Sequence, residues 1–87
     1  MMSDIPKRIG KENVDAQIAR VGMIAELDAV NLYGQMAEMA TDKKLKEVLL
    51  DIAKEEKTHM GEFQAMLLRK DREQVSELEN GRKEVEG

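Results

Sequence analysis

Two stretches with helical periodicity, residues 13–40 and 43–69, meet at one short break, Thr41-Asp42. No other feature of the sequence restricts the fold as much. At 1.5 Å per residue each stretch makes a helix about 40 Å long. So short a break makes the two helices antiparallel neighbours. Asn13 suits the N-cap of the first helix and Asp42 that of the second. Asp71 and Gln74 have capping-box spacing and open a third, short helix, which Asn80-Gly81 is expected to weaken or end. Residues 1–12, with the only proline and an early glycine, read as a flexible arm. The expected organisation is an N-terminal arm over 1–12, a two-helix hairpin over 13–70, and a short C-terminal helix with a polar tail over 71–87. No strand pattern appears, so the class is all-α.

A chain of 87 residues buries only a modest share of its surface. In a lone hairpin each long helix has one neighbour and cannot cover its apolar stripe. A partner chain is therefore expected, with an elongated monomer whose third helix folds back as the alternative. Leu50, Ala65 and Leu68 form a second, weaker apolar patch that suits another interface. Composition narrows the function further. The net charge of -4 is the opposite of a nucleic-acid-binding footprint. Without cysteine, neither a disulfide framework nor a thiolate metal site can form. No apolar run is long enough for a membrane span and no signal-peptide pattern opens the chain, so a cytoplasmic setting is expected.

Two residues break the hydrophobic pattern where breaking it costs most. On a helical wheel at about 100° per residue, Glu26 lies in the middle of a stripe of Ala19, Gly22, Met23, Ala29, Val30, Tyr33, Ala37 and Ala40. Asp15 is the other acidic residue on that line. Glu56 lies likewise among Leu45, Leu49, Ile52, Ala53, His59, Met60, Phe63 and Leu67. A buried, unpaired carboxylate usually takes up a proton or finds a cation. Each feature alone has an ordinary explanation. One glutamate can snorkel from a helix edge, a Glu-x-x-His spacing arises by chance, and a tyrosine on an apolar stripe is usually core. The methionines read as core filler.

Their joint placement is less ordinary. Glu26 lies 15 residues before Thr41 and Glu56 lies 15 after it. In an antiparallel hairpin both sit about 22 Å from the turn and level with each other. Tyr33 and Phe63, the chain's only aromatics, follow the two glutamates by seven residues each, and the single histidine, His59, shares the second face.

Helical di-iron carboxylate sites use one Glu from each of two helices and a Glu-x-x-His from each of two more. This chain carries one helix of each kind: Glu26 on the first, Glu56 with His59 on the second. Two chains about a two-fold axis complete the set as a ferritin-like four-helix bundle. Their four carboxylates match the charge of two divalent cations. Carboxylate and imidazole donors suit iron or manganese, and zinc also binds such sets. His59 must be neutral to ligate, so affinity should fall in acid.

The segments IAELDAVNLYGQMAEMA (Ile24 to Ala40), LLDIAKEEKTHMGEFQAMLL (Leu49 to Leu68) and DREQVSELENG (Asp71 to Gly81) resemble the encapsulated ferritins. The resemblance covers roughly residues 20 to 81 and matches the Glu, Tyr, Glu and His spacings. It implies a ferroxidase that oxidises Fe(II) with oxygen at a di-iron centre, two Fe per dimer interface, inside the lumen of an encapsulin nanocompartment where iron is stored. It further implies Glu26, Glu56 and His59 as iron ligands, Tyr33 as a neighbouring residue that bonds a ligand or donates an electron, and dimers arranged in a decameric ring within the encapsulin shell. Asp28 is the one acidic residue placed to gather metal beside the first ligand, Ala25 and Leu32 being apolar. The family docks to its shell by an apolar C-terminal peptide or by fusion; this sequence ends in the polar GRKEVEG, as a domain truncated from a longer chain would. Two other readings stand beside the ferroxidase: a metal-free structural or adaptor hairpin, and a di-iron peroxidase or oxygen scavenger.

Overall fold

The computed structural model describes residues 11–87 and contains three helices: α1 (Lys11–Met39), α2 (Lys43–Lys70) and α3 (Arg72–Glu86). No strand occurs among the described residues. The turn between the long helices is the one expected. The Ala40 N–H continues the α1 ladder to the Met36 carbonyl at 2.9 Å. Asp42 is extended, and its side chain accepts from the Leu45 N–H at 3.0 Å, which caps α2. At the far end Arg69 and Lys70 sit in the last turn of α2, where cations complement the helix dipole.

Two boundaries differ from expectation. Lys11, Glu12 and Asn13 are already helical, so Asn13 lies inside α1 and not at its N-cap. The remainder of the expected arm, residues 1–10, lies outside the described residues. Asn80-Gly81 does not end α3, which runs to Glu86. Side-chain bridges span the weak point: Asn80 Nδ2 donates to Glu77 Oε2 at 2.6 Å, and the Arg82 guanidinium pairs with both Glu79 and Glu86. Such i,i+3 and i,i+4 pairs each add a few tenths of a kcal/mol and together offset much of the roughly 1 kcal/mol that a mid-helix glycine costs. Arg82 also holds the Glu79 carboxyl below its ordinary pKa.

α1 and α2 pack along their lengths, while α3 approaches only α2 closely. The core is thin. Among the described residues Ala16, Ala19, Ala37, Leu49, Ala53 and Leu67 are the buried hydrophobics, and no large side chain is fully enclosed. Small residues on α1 let α2 come close, and Leu67 fills the space against Ala16 and Ala19, with Met23 beside them. Much apolar surface stays in water: Leu27, Leu32 and Leu50 are each about half exposed, and so is Leu45, expected on the inner stripe. The radius of gyration is 16.1 Å, where a compact chain of this length would have about 12 Å. With extents of 47 × 39 × 20 Å the protomer is an open, flattened object without a globular core.

One residue sets how α3 leaves the hairpin. The Asp71 N–H donates to the Leu67 carbonyl at 2.9 Å, closing α2. The Asp71 side chain accepts from the Gln74 N–H at 3.0 Å, opening α3, and pairs with Arg20 of α1 at 2.5 Å. These contacts, the Gln74 N–H first and Arg20 second, hold the Asp71 carboxyl below its usual pKa. The stability they contribute is therefore present above the ordinary aspartate pKa and is lost as pH falls through the depressed folded value. Asp71→Ala should leave the hairpin intact and loosen α3, raising amide hydrogen-exchange rates across residues 72–80 by about tenfold, the typical effect of a lost cap. Unchanged exchange in α3 would refute this role.

Candidate metal centre

Each residue of the centre sits where helical register puts it. Glu26 comes from the middle of α1, and Glu56 and His59 are successive turns of α2. Equal distance from the turn brings them level. The coordinates give what the wheel could not, the distances. His59 Nδ1 lies 3.5 Å from Glu26 Oε2, across the helix pair, and 3.7 Å from Glu56 Oε2, within α2. One donor atom from each of the three residues lies within 4.8 Å of the other two. A metal 2.0–2.2 Å from each ligand holds its donors roughly 3–4.4 Å apart, so both measured pairs fall in the coordinating range.

The electrostatics point the same way. Glu26 Oε2 is buried and has no hydrogen-bond partner among the described residues. An orphaned carboxylate oxygen is expensive. The Glu26 pKa is raised, first because its carboxyl faces that of Glu56, an arrangement that favours a shared proton, then by burial and by the Glu56 charge, with His59 opposing. The protein has brought two acids together and left one oxygen unsatisfied. A divalent cation would satisfy it and replace the proton. Two carboxylates and one imidazole are a donor set that iron, manganese and zinc accept. Three donors from one protomer still fall short of a full shell, and the His59 side chain keeps 44% of its surface open.

The other expected residues are more distant. Tyr33 is half-buried on the Glu26 face, but seven residues along α1 separate them by about 10 Å, and it is not in the donor cluster. Asp15 and Asp28 are exposed and stand apart from the cluster. One close contact escaped the sequence reading. The Phe63 ring lies against Gly22, one helical turn from Glu26 on α1 and from His59 on α2. The shared four-residue offsets, Gly22 to Glu26 and His59 to Phe63, were the available signal.

Comparisons with known proteins bear on the family and the fold. A protein from Pyrococcus furiosus described as a ferritin-like-encapsulin shell fusion protein is 55% identical over 69 residues. The match takes in 79% of this chain and 20% of that protein, so this chain spans about a fifth of its curated relative. Among solved structures, an encapsulated ferritin domain from Pyrococcus furiosus superposes with a TM-score of 0.85 at 48% identity, covering 92% of this chain and 82% of that one. The likeness is therefore to ferritin-like proteins in both sequence and fold. The EncFtn-like family profile matches residues 2–84, and with all but a few terminal residues matched, the chain belongs to the EncFtn-like, encapsulated-ferritin family.

Proposed function

We propose that this chain is a ferroxidase that oxidises Fe(II) with oxygen at a di-iron centre shared by two copies, for iron storage in an encapsulin compartment. The observation that carries the reading is the three-donor cluster with its orphaned Glu26 Oε2. Membership in the family makes the role iron-related and ferritin-like. A single protomer offers half the ligands of a helical di-iron site. The half-exposed His59 and the uncovered leucines support a second hairpin closing over the first.

In that dimer Glu26, Glu56 and His59 from each chain would hold the metals. Four carboxylates then face two divalent cations, so the charge balances. Bound iron supplies the one-electron chemistry by which Fe(II) becomes Fe(III) as oxygen is reduced. The protein's share is to hold ligands and manage protons. Metal held here would displace any proton shared by the Glu26–Glu56 carboxyl pair, and His59 would bind it through a neutral nitrogen. Tyr33, on the same face of α1, is the candidate to hydrogen-bond a ligand or donate an electron. The shell-fusion relative supports a setting within an encapsulin shell; the decameric ring of dimers is proposed from the family resemblance alone.

Mixing the native chain with Fe(II) in air should consume Fe(II) far faster than buffer alone. Under anaerobic conditions Fe(II) should raise the thermal midpoint and shift monomer toward dimer, by about 2.7 kcal/mol of stabilisation at a hundredfold excess over Kd. Background oxidation with no melting shift would instead favour a metal-free adaptor hairpin with a protonated Glu26.

A further inference from the structure

Gly22 sits mid-helix, where glycine weakens a helix, so its presence needs a cause. A Cβ built on Gly22 would lie 2.6 Å from Phe63 Cδ1 and 2.7 Å from both Cε1 and Cγ. Three consecutive ring atoms at nearly equal distance mean that the ring turns its face, not its edge, to the bare backbone. The usual carbon contact is about 3.5–4.0 Å, so a side chain there would overlap the ring by roughly 1 Å. Cγ is the root of the ring and does not move when the ring rotates about its own axis. Relief requires a new χ1 rotamer or a wider gap between the helices. Gly34, Gly61 and Gly81 meet nothing within 4 Å of their Cβ positions in the protomer, so among the described residues only Gly22 is held to glycine by such a contact.

The contact stands where it matters for the ligands. Gly22 is one turn from Glu26 on α1, and Phe63 one turn from His59 on α2, both on the side away from the hairpin turn. Each step is about 6 Å along its helix. Of the two measured donor pairs, Glu56–His59 lies within α2 and is insensitive to helix spacing. Glu26–His59, at 3.5 Å, spans the helices and follows that spacing directly. Metal sites tolerate only about 0.2 Å of error in ligand distance.

We infer that Gly22 and Phe63 are positioning residues: the ring seated on the bare glycine sets the α1–α2 spacing and holds Glu26 within coordinating reach of His59. The inference rests on the metal site proposed above. It goes beyond the ligands themselves, because neither residue offers a donor atom.

Anaerobic Fe(II) titration by calorimetry, paired with thermal melts of the metal-free proteins, tests it. Gly22→Ala should weaken Fe(II) binding by about 10–100-fold, the usual range for residues that orient ligands. Phe63→Leu, which does not depend on Gly22→Ala folding, should weaken it several-fold. The double variant, in which the smaller leucine makes room for the new methyl group, should regain most of the affinity lost in Gly22→Ala. Gly81→Ala, on α3, should raise helicity without changing Fe(II) affinity. The inference is overturned if Gly22→Ala or Phe63→Leu binds Fe(II) as the native chain does. It is equally overturned if the double variant is no tighter than Gly22→Ala, or if midpoints fall while Fe(II) affinity holds. Absence of Fe(II) binding in the native chain would overturn the metal site itself, and that arm contains no substitution.

Discussion

Glu56→Ala or His59→Ala should bring aerobic Fe(II) oxidation down to the rate of iron in buffer, with helix content unchanged. The size of the effect follows from symmetry. In a two-fold dimer each substitution removes two ligands, one from each chain, from a site that has six. The fold should survive, because neither residue belongs to the buried core and alanine is the best helix former. Circular dichroism establishes the second point and Fe(II) consumption the first. The two variants differ in what remains. His59→Ala keeps all four carboxylates and so keeps weak cation binding. Glu56→Ala also removes half of the acid pair that charges the site. Oxidation at the native rate in either variant would remove these residues from the proposed centre.

Glu26→Gln should move stability and metal binding in opposite directions. Without metal, the Glu26 carboxyl is crowded by Glu56 and its Oε2 is buried without a partner. Its folded pKa is raised, so between the unfolded and folded values the native state holds more protons than the unfolded state. With that sign, the metal-free protein loses stability as pH rises through the raised folded pKa. Equivalently, it should melt higher in weak acid than at neutral pH. Asp71 and Glu79, whose pKa values are depressed, begin to cost stability only at lower pH. Glutamine keeps the shape of Glu26, stays neutral, and can donate to Glu56. The Glu26→Gln protein should therefore melt higher than the native metal-free protein at neutral pH and lose the weak-acid rise. Fe(II) affinity should collapse, because an anionic ligand is gone from each half of the site. The native chain's Fe(II) affinity should itself fall in acid as ligands take up protons. A Glu26→Gln protein that melts lower, or still binds Fe(II) tightly, would contradict this account of the carboxyl pair.

The hairpin and the clustering of Glu26, Glu56 and His59 were legible in the sequence because both depend on short-range regularities. The 3.6-residue period marks the inner face of each helix. Asp42 and Asp71 cap where their spacing to Leu45 and Gln74 says they should. Given a turn at Thr41-Asp42, counting residues was enough to place Glu26 level with Glu56. A carboxylate in mid-stripe is conspicuous because burying one without a partner is costly.

What only the tertiary structure decided depends on atoms meeting across helices or along side chains. Asn80-Gly81 reads as a point where the helix weakens or ends, yet Asn80 and Arg82 find Glu77, Glu79 and Glu86 along the helix surface and α3 continues. Leu45 falls on the inner stripe of the wheel but stays half exposed. The pairing of Arg20 with Asp71, 51 residues apart, could not be read from either neighbourhood. Nor could the seat of Phe63 on Gly22 or the orphaned oxygen of Glu26. Period and capping are properties of neighbours in the chain, so the sequence by itself determined the helices and which residues face inward. Spacing between helices is set by how close two backbones can come, to within a fraction of an ångström, and only the packed structure decided that.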